Sequence, residues 1–138
     1  MVKKFTPPPR STLVRSSIRL PVGMKEAMEQ TMLAQAWSLK RRSNWIGAAC
    51  AALLDNTDHE ELIREEFYDG RTVAMPLALD SELVSRLTAV ADRMTTPQRT
   101  IDRSAIIRTA ITQAVLAASG RRVVTGVPLG DTAQSETT

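Results

Sequence analysis

The residue types that support covalent or metal-based chemistry are nearly absent from this chain. It contains one cysteine, Cys50, and one histidine, His59. A lone cysteine excludes an intramolecular disulfide framework, and its apolar neighbours predict a buried thiol without a redox role. The sequence shows no metal-spaced His and Cys cluster, no phosphate-binding glycine loop and no nucleophile with a neighbouring histidine base. We therefore expect neither an enzyme nor a cofactor or metal site.

Aromatic residues and long apolar runs are also scarce. Phe, Trp and Tyr together make up 4% of the chain, which disfavours recognition of single-stranded nucleic acid by base stacking. No apolar run is long enough to cross a bilayer, and residues 1–10 lack the hydrophobic segment of a signal peptide. These absences predict a cytoplasmic protein without a membrane partner.

The chain does contain an internal repeat, in which an alternating segment followed by two amphipathic segments occurs twice. A shift of 59 residues pairs Ile18 with Leu77, and near the end of each copy a shift of 61 pairs Ile46 with Ile107. A single alternating strand has no partner to bury its apolar side, and even an isolated two-stranded ribbon is marginal in water. We therefore expect the two copies to share one core within the 138 residues.

Composition and the repeat together divide the chain into five segments. They are a flexible basic and proline-rich arm (1–13), the first copy (14–54), an acidic linker (55–70), the second copy (71–119) and a mobile tail (120–138). Seven of the fifteen acidic residues lie between Asp55 and Asp69, where Arg64 is the only base, so this stretch carries −6 and the rest of the chain +9. The positive remainder suits a polyanionic partner.

Periodicity predicts the elements of each copy. Alternation indicates two strands with one apolar face each, formed by Ile18 and Leu20 in the first and by Val73, Met75, Leu77 and Leu79 in the second. The first helix is expected to follow the first strand and to run through Leu39, with an apolar stripe that includes Met24, Met28 and Met32 and belongs to the core. The other helices are expected to run from an N-cap at Ser43 or Asn44, from an N-cap at Asp80 or Ser81, and from about Ser104 to Ser119 with Gly120 as C-cap.

The order strand, helix, helix, with Leu20-Pro21 closing the first strand and a Ser-led second helix, resembles the ribbon-helix-helix family of the Arc and MetJ repressors. Two copies in one chain look like the TraY-type and overdrive-binding accessory proteins of plasmid and T-DNA transfer. The resemblance implies a mainly α fold with a two-stranded antiparallel ribbon, in which two repeats form an intramolecular pseudo-dimer. It also implies sequence-specific binding of double-stranded DNA, with the ribbon in the major groove.

Two sets of DNA contacts follow from this resemblance. The outward strand residues are expected to contact bases, and they are Arg15, Ser17, Arg19, Thr72, Ala74 and Ala78. The start of the second helix in each copy, with the basic residues before it, is expected to contact phosphates through Ser43, Asn44, Arg103, Ser104, Lys40, Arg41 and Arg42. Plain helix capping by the serines and simple solvation of the basic residues are the alternatives.

The second strand departs from the family pattern. Its outward residues Ala74, Pro76 and Ala78 offer no side-chain hydrogen bonds. Pro76 also lacks an N–H, so it fits only where that group would point away from the partner strand. We therefore hypothesise that the arginine-bearing strand reads the bases and that the preferred site is not palindromic.

Several functional alternatives stay open at this point. DNA binding is compatible with promoter repression, transfer-origin assembly or plasmid partition, with other transfer or partition proteins and further copies of the chain on DNA as candidate partners. The alternative from another class is a helical adaptor or antitoxin-like module that binds a protein through the acidic linker or the tail. A salt-dependent gel shift distinguishes the two classes.

Overall fold

The structure is a computed structural model that describes residues 12–63 and 70–120. Most of the predicted arm (1–13), residues 64–69 of the acidic linker and the predicted tail beyond Gly120 lie outside the described residues.

In the part of the chain that is described, the protein is mostly helical and has one two-stranded antiparallel sheet. This confirms the predicted combination of helices with an antiparallel ribbon. Each strand leads directly into a helix. In chain order, the elements are β1 (Leu13–Pro21), α1 (Val22–Ala34), a short 3₁₀ turn (Leu39–Arg41), α2 (Arg42–Asp55), α3 (His59–Leu62), β2 (Thr72–Asp80), α4 (Ser81–Met94) and α5 (Arg103–Ala118).

The two strands pair along their full length. The register begins with Leu13 opposite Asp80 and places Ser17 opposite Pro76 at its centre. These two central residues are also related by the 59-residue shift of the repeat. The pairing therefore has a local two-fold relationship about this central pair. Arg15, for example, faces Ala78, which is the repeat counterpart of Arg19, and Arg15 and Arg19 lie equally far from the centre of β1.

Pro76 lies where its missing N–H costs no pairing. The Val22 N–H donates to the Arg71 carbonyl oxygen at 3.1 Å, which marks this cross-strand pair as hydrogen-bonded. Bonded and non-bonded pairs alternate along an antiparallel ribbon. Ser17 and Pro76 are therefore a non-bonded pair, so the proline N would face away from β1, as the sequence required.

One hydrophobic core lies beneath the ribbon and contains residues of both copies. The inward strand residues pack there with buried methionines of α1 and branched residues of the later helices. Cys50 is also buried, and desolvation raises the pKa of its thiol to about 12. Fully buried members of the core include Leu20, Met28, Met32, Ile46, Met75, Leu87, Ile106 and Ile111. The expectation that the methionine stripe belongs to the core is confirmed.

Helix α1 ends five residues earlier than the apolar stripe predicted. Ala36 has φ +66°, and the Trp37 N–H donates to the Met32 carbonyl oxygen at 2.8 Å. With the bond from Ala36 N–H to Leu33 O, this is a Schellman ending that has alanine at the usual glycine position. The prediction of a helix through Leu39 was wrong because alanine gives no local stop signal.

The second helix of each copy also begins differently from the prediction. Helix α2 starts at Arg42 without a side-chain cap, so neither Ser43 nor Asn44 is its N-cap. Helix α5 starts at Arg103, and its N-cap is Asp102, whose Oδ1 accepts the Ala105 N–H at 2.9 Å. A carboxylate at that position stabilises the helix dipole, so Ser104 is not needed as a cap.

Of two other predicted helix ends, the cap at the start of α4 is confirmed, whereas the C-cap of α5 is Ser119, one residue before the predicted Gly120. Asp80 Oδ2 accepts the Glu82 and Leu83 N–H groups at the start of α4. Gly120 follows the end of α5 with φ +80°, a conformation that glycine adopts without a steric penalty.

Candidate nucleic-acid interface

The outward face of the ribbon brings together all six residues predicted to contact bases. Cross-strand partners project to the same side of a ribbon, so this face continues from one strand to the other. Arg15 lies opposite Ala78, and Arg19 lies opposite Ala74. Both arginines and Ser17 are exposed, as is Ala74, whereas Thr72 and Ala78 are half-buried. The six side chains share one surface, and the only charged ones among them are Arg15 and Arg19 of β1.

The two arginines are spaced along one strand with small neighbours across the ribbon. Arg15 and Arg19 lie four positions apart on the strand, which corresponds to about 13 Å between their Cα atoms. Among the described residues, neither guanidinium forms an ion pair within the protein. Alanine methyl groups opposite them leave space for a ligand to approach both guanidinium groups from the outward side.

Ser43 joins the start of α2 to the edge of β2. Its Oγ accepts the Ala78 N–H at 2.9 Å. This bond is possible because Ala78 belongs to a non-bonded cross-strand pair, whose N–H points away from β1. A serine hydroxyl that accepts this bond still has its own proton to donate. Asn44, the next residue, is exposed.

The basic residues before and at the start of α2 have three different environments. Lys40 is exposed, and Arg41 stacks over the Trp37 ring at 4.9 Å from the ring centroid. Arg42 donates to Glu29 at 2.9 Å and is paired within the protein. The hydrogen bond from Lys25 lowers the pKa of Glu29, with burial opposing the shift and Arg42 adding to it. Lys40 and Arg41 are therefore more available to an anion than Arg42.

The start of α5 differs from the start of α2. Arg103 is exposed and Ser104 is half-buried at this helix start. The capping carboxylate of Asp102 already occupies the position that a phosphate would take near the first-turn N–H groups. The two helix starts that were predicted to act alike therefore present different charges.

Arg108 was missed by the sequence analysis. It lies in α5, is half-buried, and its Nη1 donates to the carbonyl oxygen of Arg19 at 3.1 Å. The 61-residue shift pairs Arg108 with Gly47, so a long cationic side chain in the second copy corresponds to a glycine in the first. This difference between the copies was the sequence signal that could have identified Arg108. At Gly47 the corresponding space is close to β2, since a Cβ there would lie 3.6 Å from Leu79 Cδ2.

A small cavity lies beneath the amino-terminal half of β1. Its volume is about 100 Å³, and its lining includes Ser16, Leu77, Arg103 and Ser104. The repeat shift pairs Ser16 with Met75, which is buried in the core. The cavity therefore reflects a small polar residue in β1 at the position where β2 has a large apolar one.

Two other kinds of site are absent from the described residues. Residues 12–63 and 70–120 contain no cluster of three or more His, Cys, Asp or Glu side chains that could hold a metal ion. None of the described helices has the length and apolar character needed to cross a membrane. Comparisons with protein-family models, curated proteins and solved structures found no match.

Proposed function

We propose that this chain is a tandem ribbon-helix-helix protein that binds double-stranded DNA in a sequence-specific manner. The single observation that carries the proposal is the antiparallel pairing of β1 with β2, which presents Arg15 and Arg19 on one exposed face. A two-stranded ribbon fits the major groove, where outward side chains reach base edges.

The repeat and the strand register support an intramolecular pseudo-dimer. Ser17 and Pro76 are related by the repeat shift and face each other at the ribbon centre. Each strand is followed by two longer helices, α1 and α2 in the first copy and α4 and α5 in the second. A ribbon built this way needs no second subunit, since one chain supplies both strands.

The distribution of side chains on the ribbon supports a non-palindromic target. Each arginine of β1 faces an alanine of β2. An arginine can donate two hydrogen bonds to guanine and contributes about 1–3 kcal/mol of discrimination, whereas alanine offers only a methyl contact, for example with thymine. The two halves of the ribbon therefore read different features, and the site they select is asymmetric.

Selection from a randomised pool of duplexes tests this function directly. We expect the full chain to enrich one asymmetric sequence and to bind it with an affinity that falls steeply as salt rises. Arg15→Ala and Arg19→Ala should each weaken discrimination at a separate base pair by roughly 5- to 150-fold. The matched control is Arg93→Ala, which removes an exposed arginine that pairs with Glu60 at 2.7 Å. Failure to enrich any duplex would refute sequence-specific DNA binding.

We propose that the DNA-binding chain acts either as an accessory protein of plasmid transfer or partition, or as a transcriptional repressor. Footprinting of the DNA upstream of the gene separates repression from the other roles.

The adaptor alternative depends on free acidic residues, yet Asp55 and Glu60 pair with Arg86 and Arg93 of α4. These intramolecular pairs use part of the acidic segment and give the adaptor less support.

A further inference from the structure

We propose that Arg108 is a positioning residue that holds the backbone of β1 at Arg19, so that the Arg19 side chain meets its base pair in a defined orientation. This inference rests on the proposed function and assigns a specificity role to a residue that lies outside the outward face of the ribbon. In this proposal, Arg108 acts on the Arg19 side chain through the main chain of β1.

The geometry of the ribbon edge makes this anchor possible. Arg19 pairs with Ala74 in a non-bonded register position, so its carbonyl oxygen is directed away from β2. Arg108 Nη1 donates to that oxygen at 3.1 Å and connects α5 to β1 across 89 residues of sequence. A hydrogen bond from a charged, planar guanidinium is stronger and more directional than one between neutral groups.

The other copy anchors the equivalent strand position in a different way. Ala78 is the counterpart of Arg19 under the 59-residue shift, and it is held through its N–H by Ser43 Oγ at 2.9 Å. Gly47 occupies the counterpart position of Arg108. The cationic anchor is thus found at the strand residue with an arginine side chain, and the neutral one at the residue with only a methyl group.

Loss of this anchor should act on discrimination at one base pair. A bidentate contact with guanine needs both donors in place together, and greater freedom at the Arg19 backbone spreads the side chain over unproductive orientations. Arg15, four residues earlier on the same strand, keeps its own position. The effect of removing Arg108 should therefore be local in the DNA sequence.

The test uses the full-length chain and the duplex that the wild type selects. Arg108→Met removes the donor while retaining an unbranched apolar side chain. We expect discrimination to fall about tenfold at the base pair that is sensitive to Arg19→Ala and to stay unchanged at the pair sensitive to Arg15→Ala. Arg86→Met is the matched control, because Arg86 pairs with Asp55 at 3.1 Å; it should leave discrimination unchanged.

A double-mutant comparison separates positioning from a general structural role. In the Arg19→Ala background, Arg108→Met should cause no further loss at the affected base pair, whereas its effect should add to that of Arg15→Ala. Thermal unfolding of every variant shows whether the chain is folded. If Arg108→Met does not fold, Arg108→Gln, whose shorter amide lacks the charge, takes its place in the same measurements.

Three results would overturn the inference. Equal losses at every base pair would mean that Arg108 only stabilises the fold. Intact discrimination with a salt slope lower by about one would identify it as a phosphate contact. Intact discrimination together with an unchanged salt slope would leave Arg108 with no role in DNA recognition. A wild-type chain that enriches no duplex is a separate result, which refutes the proposed function itself and the inference with it.

Discussion

Ser17 lies directly opposite Pro76 at the centre of the ribbon, in a pair where neither strand needs to donate a backbone hydrogen bond. Hydrogen-bonding and non-bonding positions therefore alternate on either side of this pair. This alternation determines which residues of β2 tolerate the loss of an N–H.

Proline substitutions at two adjacent positions of β2 should have very different effects. Val73 faces Leu20 in a bonded pair, so Val73→Pro should lower the free energy of unfolding by about 3 kcal/mol or more. Ala74 faces Arg19 in a non-bonded pair, and Ala74→Pro should cost less than about 1 kcal/mol because no ladder bond is lost. Urea unfolding measures both values. Equal costs at the two positions would contradict this register.

Replacing Ala36 by glycine should stabilise the protein. Ala36 adopts φ +66° at the end of α1, and a left-handed conformation costs a residue with a Cβ about 1 kcal/mol relative to glycine. We expect Ala36→Gly to raise the free energy of unfolding by about that amount. Ala48→Gly, in an exposed position of α2, is the control and should lower it by about 0.5–1 kcal/mol. The same sign for both substitutions in urea unfolding would contradict the Schellman ending.

Filling the cavity beneath β1 should also stabilise the fold. Ser16 lines this cavity of about 100 Å³ on the inner side of the ribbon. Ser16→Val should raise the free energy of unfolding by about 1 kcal/mol more than Ala74→Val, which places the same β-branched residue at an exposed position of β2 that does not line the cavity. Differential scanning calorimetry compares the two variants. A larger gain from Ala74→Val would show that the cavity contributes nothing to stability.

The ion pairs of Glu29 with Lys25 and Arg42 should make stability depend on pH. The pKa of Glu29 is lowered from 4.5 in the folded chain, so the charged form contributes stability above that value and loses it as the pH falls through the lowered folded pKa. Glu29→Gln should therefore cost up to about 1 kcal/mol at pH 7, and the difference from wild type should vanish in acid. Glu26→Gln, at an exposed residue of the same helix, is the control. A difference that persists in acid would argue against a charge effect.

Local sequence patterns were sufficient to predict the two strands and the outward face of the ribbon in the candidate interface. Alternation predicted that Arg15 and Arg19 share an outward face, and the structure places them there. The same reasoning did not locate the end of α1, since alanine at position 36 is the residue most compatible with a continuing helix. The preference of helix N-termini for serine and asparagine predicts a cap at Ser43 or Asn44, but the Ser43 hydroxyl bonds to the ribbon instead.

The sequence by itself determined that two strands with complementary apolar faces would exist and that one would carry the arginines, because side-chain periodicity is a property of consecutive residues. Only the tertiary structure decided how the strands are anchored to the helices. The bond from Ala78 to Ser43 spans 35 residues and the bond from Arg108 to Arg19 spans 89. Contacts at such separations depend on how the shared core brings the helices against the ribbon edges, and no local pattern contains that information.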